Sequence, residues 1–242
     1  MTSARVIRWA WYGLAIGFVG LWLARYAASL DTVARLAGLD YQNYAAATRD
    51  WLGGGPWYLD RQLHGPYAVT PGDALYPPTW LLLFVPAAFL PPVVWWAVPI
   101  SAIVWVIVRL RPTPAAWAVM AACLAWPPTA VHLLTGNPGI WMVAALALGV
   151  RYRWPAAFVL TKVTIAPLAL IGVRDRRWWW TVAAIVAVSL PFASMWPTYA
   201  QVLFDARHPA GLLYSAQDLP MLAIPLVAWL GRRLPAEAAK TS

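Results

Sequence analysis

The sequence predicts an all-α membrane protein, a polytopic bundle of transmembrane helices. Hydrophobic residues make up 62% of the 242 residues, charged residues make up 11%, and the mean hydropathy is +0.60. This composition lies outside the range of soluble globular domains. The apolar residues form continuous runs that approach or reach the roughly 20 residues needed to cross a bilayer as a helix. A membrane β-barrel would alternate apolar and polar residues, so these runs exclude strands.

Apolar runs divide the single membrane domain into about seven to nine membrane segments. The first span covers residues 9–30, and no small-residue cleavage site stands out, so we interpret it as an uncleaved first helix. The central spans occupy 79–196 and the last span 219–231. Prolines interrupt the run at 79–108, which is too long for one straight crossing and short for two.

The arginines predict the orientation in the cell membrane, because positive residues favour cytoplasmic loops. They cluster between the apolar runs at 5/8, 109/111, 151/153, 174/176/177 and 232/233. If the run at 79–108 crosses the membrane an odd number of times, every arginine cluster can be cytoplasmic. The N-terminus and the tail 232–242 are then cytoplasmic as well. The run at 155–173 must then be re-entrant or a tight hairpin. The intervals 31–78, 136–139 and 197–218 face outside. The net charge of +9 therefore needs no nucleic acid partner.

The long polar interval 31–78 contains five of the nine acidic residues. Within it, residues 40–52 predict a short helix on the membrane surface, ended by the glycines that follow. Asp40 has two interpretations. An aspartate before a helix is a common N-cap. A partly desolvated carboxylate at the water–membrane boundary is also suited to accept a proton from a sugar hydroxyl, which makes Asp40 the candidate catalytic base.

Lys162 lies near the middle of an apolar run, where a lysine is costly unless it reaches water, a partner or an anion. Snorkelling to the interface and pairing with a lipid phosphate both explain it. His132 is the histidine inside an apolar run, and Asn137 supplies a polar group in the following turn. Both are candidate substrate-binding residues. Each also has a simpler explanation: His132 forms a hydrogen bond to a neighbouring helix, and Asn137 is part of a turn.

Further candidates for substrate binding lie in the predicted outer loops. Tyr76 precedes two prolines at the entrance to the second run, where it forms either a helix start or a wall of a cleft. Tyr44 and Trp57 are able to stack on sugar rings, or serve as ordinary interfacial aromatics. Arg207 and His208 are weaker candidates for phosphate contact. The lone Cys123 lies in an apolar run, and we expect no metal site and no cofactor.

An ordered set of short motifs resembles the GT-C membrane glycosyltransferases, in particular glycosyltransferase family 87. The motifs are Leu39-Asp40-Tyr41-Gln-Asn-Tyr44-Ala, Tyr76-Pro77-Pro78, Leu90-Pro91, Leu134-Thr-Gly136-Asn137-Pro-Gly and Thr161-Lys162-Val-Thr-Ile-Ala-Pro167, followed by basic residues from Arg174. They span roughly residues 9–180. The turn reads Gly-Asn-Pro where that family commonly has Gly-Gln followed by Asn, and the chain is shorter than typical members.

The resemblance implies a GT-C-like fold with an outer active site. It also implies a polyprenyl-phosphate-linked sugar, mannose foremost, as donor substrate and Asp40 as general base for inverting transfer. The acceptor is then a lipid or a glycan. A membrane protein partner or a homo-oligomer is compatible with the resemblance. Two alternatives remain open at this point. One is a non-catalytic protein that binds or flips polyprenyl-phosphate sugars, and the other is a structural membrane subunit.

Overall fold

The computed structural model describes residues 3–70, 73–207 and 217–233. The helices of these residues are α1 Ser3–Ala27, α2 Leu30–Leu36, α3 Leu39–Leu52, α4 Leu81–Ala87, α5 Pro92–Leu110, α6 Pro114–Ala125, α7 Pro127–Thr135, α8 Gly139–Tyr152, α9 Arg176–Ser189, α10 Trp196–Asp205 and α11 Leu219–Leu230. The 3₁₀ helices are Asp60–Gln62, Pro78–Trp80, Trp154–Thr161, Val163–Gly172 and Leu190–Met195. Two short strands, β1 Tyr67–Ala68 and β2 Ala206–Arg207, pair in parallel. The predicted all-α class is therefore confirmed.

Three helical stretches are long and apolar enough to cross a membrane: Ala4–Ala27, Pro92–Leu110 and Arg176–Asp205. The third is continuous through α9, a 3₁₀ turn and α10. Helices α6 and α7 pass the same test together, but they meet at an angle of 67°. The bend falls at Trp126, directly before two prolines that disfavour a straight helix. These spans support a membrane location, and by length and composition they number three, or four with the bent pair.

The polar interval 31–78 holds the predicted helix as α3, which ends at Gly53. The N-cap interpretation of Asp40 is wrong, because the N-cap is Gly38 and Asp40 lies in the first turn. The apolar face of α3 also packs on protein rather than on lipid. Tyr41 is 6% exposed, and its hydroxyl donates to the carbonyl of Ala87 at 3.0 Å. The aromatic rings at the start of α5 provide the surface that buries it.

Residues 154–172 form a hairpin of two 3₁₀ helices that pack against each other. Lys162 lies at the tip, with φ −118° and ψ 98°. The two ends meet so closely that a Cβ on Gly172 would clash with the carbonyl of Arg153. At about 2 Å per residue, each half is about 16–20 Å long, shorter than a hydrocarbon core of about 30 Å.

The helices separate two chemically different ends of the bundle. At one end the guanidinium groups of Arg153 and Arg232 lie over the ring of Trp229, at 5.6 and 5.2 Å, and Arg232 pairs with Pro112 as an isolated β-bridge. At the other end the N–H of Gly38 donates to the carbonyl of Leu134 at 2.9 Å. Helices α5, α8 and α11 run from this second end to the arginine end. The predicted polar candidates of α3, α7 and the hairpin tip thus share the end opposite the arginine clusters.

Candidate functional site

Asp40 is held by two side chains that lie nearly a hundred residues further along the chain. Its Oδ2 accepts hydrogen bonds from the Thr135 hydroxyl at 2.8 Å and from Asn137 Nδ2 at 2.9 Å. The N–H of Gly139 donates to Asn137 Oδ1 at 2.8 Å, which fixes the orientation of the amide. Within the described residues nothing donates to Asp40 Oδ1. The carboxylate is therefore positioned through one oxygen, while the other can accept a proton or a hydrogen bond.

Two glycines bring these elements together. Gly38 and Gly136 both have positive φ, 73° and 71°, and Gly136 ends α7 just before Asn137. The carbonyl of Gly136 accepts a hydrogen bond from Trp95 Nε1 at 2.7 Å. A Cβ on Gly136 would come within 2.5 Å of the ring of Trp96. The turn before Asn137 is thus clamped against two indoles of α5.

Lys162 is paired with Asp218, which directly precedes α11. Its Nζ lies 2.8 Å from Asp218 Oδ2, and both residues are buried, at 8% and 6% exposure. His132 Nδ1 lies 3.0 Å from the other oxygen, Oδ1. The ring of Tyr76 faces the ammonium group at 5.8 Å. Lys162 therefore does not snorkel, because a partner on another helix and an aromatic face neutralise its charge inside the protein.

The charges around Asp218 favour its ionised form. Burial by itself would raise the pKa of this carboxyl, but the interaction with His132 and the charge of Lys162 outweigh burial and lower the pKa to about 2. Asp218 is thus a carboxylate at neutral pH, with one cationic partner and one imidazole.

These groups surround a cavity of about 160 Å³. Its lining consists of Tyr44, Leu75, Tyr76, His132, Asn137, Lys162, Gln217 and Asp218. Five of the residues predicted from the sequence therefore meet in one place. Asp40 does not line the cavity itself; its carboxylate is bonded to Asn137, which does.

Other sequence candidates lie elsewhere. Trp57 is 3% exposed and packs against Tyr58 and Phe84, so its faces are covered by protein. Arg207 belongs to the short strand β2, and its guanidinium donates to the carbonyls of Phe204 and Ala206. Neither residue lines the cavity. His208 lies outside the described residues.

Asp218 is the charged site residue that sequence reasoning missed, and Thr135, which donates to Asp40, was also not among the predicted site residues. A signal for it existed, since a lysine in an apolar run requires a partner and Asp218 is the acid that immediately precedes an apolar span. The sequence offered several acids, however, and only the packing of α11 beside α8 selects this one.

Two apolar grooves flank the cavity on either side of α8. One, of about 610 Å³, lies between α1, α5, α6, α8 and α11 and includes Leu133 and Met221, close to His132 and Asp218. The other, of about 430 Å³, includes Trp80 and Thr161, close to Tyr76 and Lys162. A polar cavity between two apolar grooves fits an amphipathic ligand.

The described residues contain no cluster of three or more His, Cys, Asp or Glu side chains suited to a metal ion. Comparison of the whole chain with protein-family models, with curated proteins and with solved structures finds no match.

Proposed function

We propose that this chain is a membrane glycosyltransferase that moves a hexose, mannose foremost, from a polyprenyl-phosphate-linked donor to a lipid or glycan acceptor. The observation that carries the proposal is the pairing of Asp40 with Asn137. It places an oriented carboxylate beside a cavity that also holds Lys162. A base and a cation at one polar cavity are what displacement of a phosphate from a sugar requires.

Asp40 acts as the general base in this reaction. Its Oδ1 accepts the proton of the acceptor hydroxyl as that oxygen bonds to the anomeric carbon. The bond between the anomeric carbon and the phosphate oxygen breaks, the polyprenyl phosphate leaves with the electron pair, and the configuration inverts. Thr135 and Asn137 hold the carboxylate through Oδ2, so its orientation is set before the substrate arrives.

Lys162 meets the negative charge that develops on the leaving phosphate. Because its ammonium group already contacts Asp218, the donor phosphate shares this cation with a carboxylate or displaces it. Asp218 then keeps His132 as its partner. Tyr76 closes the wall behind the ammonium group.

The apolar grooves support a lipid-linked substrate. The 430 Å³ groove beside Trp80 and Thr161 leads away from Lys162, which suits the first isoprene units of a donor whose phosphate lies at Lys162. Such a site lies at the membrane surface, with the sugar in the polar cavity and the chain toward lipid.

In this proposal the cavity faces the extracytoplasmic side and the arginine end faces the cytoplasm, in accord with the positive-inside rule. Counting the shorter apolar helices and the two halves of the hairpin as membrane-embedded gives about seven to nine segments. The hairpin enters and leaves from the cytoplasmic side, because its ends meet at Arg153 and Gly172.

The test measures sugar transfer by the Asp40→Asn variant of the full chain, in membranes supplied with radiolabelled polyprenyl-phosphate-mannose. Loss of the base is expected to lower transfer of label to other lipids or glycans at least about 100-fold. Asp60→Asn is the matched control, since its side chain is 91% exposed in the same interval. Wild-type transfer by Asp40→Asn would rule out the assignment.

A non-catalytic carrier of polyprenyl-phosphate sugars is the second candidate, because Lys162 and Asp218 line the cavity whereas Asp40 does not. Binding of labelled donor that is lost in Lys162→Ala but retained in Asp40→Asn, with no transfer by the wild type, would select the carrier. If the protein is a structural subunit, neither the wild type nor either variant binds the donor.

A further inference from the structure

A second cavity, of about 650 Å³, lies at the arginine end of the bundle, at the base of the hairpin. It is lined by residues 170–176, the end of the hairpin and the segment that follows it, together with Arg153. The glycosyltransferase site lies beyond the hairpin tip, at the opposite end of α8. The two cavities are therefore separate.

The wall of this cavity is tightly built. Gly172 has no room for a side chain, because a Cβ would clash with the carbonyl of Arg153 and the ring of Trp178. Arg153 has a positive φ of 68°, and its exposed guanidinium lies 5.6 Å from the ring of Trp229. The close contact between the hairpin ends therefore sets the shape of the cavity.

The charge of the lining is not balanced. Three arginines line the cavity with one acid, Asp175, and its Oδ1 accepts a hydrogen bond from the backbone N–H of Arg177 at 2.9 Å. The side chains of Arg174 and Arg176 are exposed, and neither forms an ion pair within the described residues. Two guanidinium groups are thus available to an anion.

One side of the same cavity is apolar and exposed. Leu170 lines the cavity and is 57% exposed. Trp179 lies just outside the lining and is also 57% exposed, and its Nε1 donates to the carbonyl of Val173, a lining residue, at 3.0 Å. A tryptophan with its N–H bonded to backbone and its ring exposed suits the headgroup level of a bilayer. The cavity thus offers cations next to apolar surface.

We propose that this cavity binds the headgroup phosphate of an anionic phospholipid, with Arg174 and Arg176 on the phosphate and an acyl chain along Leu170. The positive-inside rule accounts for the sign of the charge but not for a concave site with an apolar side. Free phosphate shares the ionic chemistry, whereas only a lipid also uses Leu170. The proposal does not depend on the glycosyltransferase assignment.

The experiment uses the purified full chain in detergent at about 0.15 M salt, where free charges are screened beyond about 8 Å. Phosphatidylglycerol, phosphatidylcholine with the same acyl chains, and inorganic phosphate are the probes, and retained lipid is measured by native mass spectrometry. Phosphatidylglycerol is expected to be retained in preference to phosphatidylcholine. Millimolar inorganic phosphate is expected not to displace it.

Arg174→Gln/Arg176→Gln is expected to weaken phosphatidylglycerol binding roughly 30-fold, and each single variant about 5-fold. The control is Arg151→Gln/Arg177→Gln, which removes the same charge from the same end of the bundle, at the ends of α8 and α9, but from residues outside the lining. Binding by the control should change less than about 3-fold. Equal weakening of phosphatidylglycerol binding in both double variants would mean that only the net charge matters. Displacement of the lipid by inorganic phosphate would mean that the cavity binds a free anion. Either result overturns the proposal.

Discussion

Lys162 shows how a buried charge is tolerated at the tip of an apolar hairpin. The residue is 8% exposed, and its tolerance depends on Asp218, 56 residues further along the chain. Removing one partner of a buried pair leaves an uncompensated charge and costs about 3–5 kcal/mol. The pair of Lys162 and Asp218 therefore stabilises the fold as well as forming part of the proposed phosphate site.

Asp218→Asn is expected to lower the free energy of unfolding by about 3–5 kcal/mol at pH 7, because Lys162 then has no carboxylate partner. The pKa of Asp218 is lowered on folding from 3.8 to about 2. Its ionisation therefore stabilises the protein fully above about pH 4, and this contribution is lost as the pH falls toward 2. The stability difference between wild type and Asp218→Asn, measured by unfolding in detergent, should narrow over that interval.

Asp60→Asn provides the baseline for this pH series, since its exposed carboxylate should contribute little at any pH. A difference between wild type and Asp218→Asn that stays constant from pH 4 to pH 2 would contradict a stabilising carboxylate at this position.

At the scale of elements, the turn between α7 and α8 positions the catalytic candidates. Gly136 combines a φ of 71° with an adjacent indole, so glycine is required there for two reasons. Its carbonyl bonds to Trp95, and the next residue is Asn137. A change in this turn should therefore disturb the hydrogen bond to Asp40.

Gly136→Ala is expected to cost about 2–5 kcal/mol, the sum of a left-handed backbone penalty and overpacking against Trp96. It should also lower any transfer activity by displacing Asn137. Gly54→Ala is a matched control, because Gly54 has a φ of 93° but no atom within 4 Å of the added Cβ. Gly54→Ala should cost only about 1–2 kcal/mol. Equal destabilisation in the two variants, measured by thermal unfolding, would mean that the contact with Trp96 is unimportant.

At the scale of the whole molecule, the two ends differ in the charged groups that they hold. Arg153 and Arg232 lie over the ring of Trp229 at one end. Asp40, Asn137 and Lys162 lie at the other. The positive-inside rule then predicts that the arginine end is cytoplasmic and the opposite end extracytoplasmic.

Single cysteines in a Cys123→Ser background test this orientation in intact cells. Asp60→Cys should react with a membrane-impermeant maleimide from outside, and Arg177→Cys should react only after the membrane is permeabilised. Both positions are exposed and outside the cavities, so labelling depends on the side of the membrane. Labelling of Arg177→Cys in intact cells would contradict the assigned topology.

The sequence alone predicts the all-α class, which the structure confirms, and apolar runs long enough to cross a membrane. Element boundaries are predicted less well, since the run expected to end at 196 continues as helix to Asp205. Composition and the length of apolar runs act locally, and prolines end helices wherever they occur. It also selected Asp40, Asn137, His132, Tyr76 and Lys162 as polar groups that an apolar bundle must accommodate. Trp57 shows the limit of this reasoning, because an aromatic in a polar loop has the same local pattern whether it packs inward or faces a ligand.

Which of these groups lie together depends on how the helices pack. The contacts of Asp40 with Asn137 and of Lys162 with Asp218 join residues 97 and 56 positions apart. No local pattern specifies such pairs, because they depend on how α3, α8 and α11 pack. A buried charge requires a partner whatever the sequence around it, but the geometry of the packed helices chooses that partner.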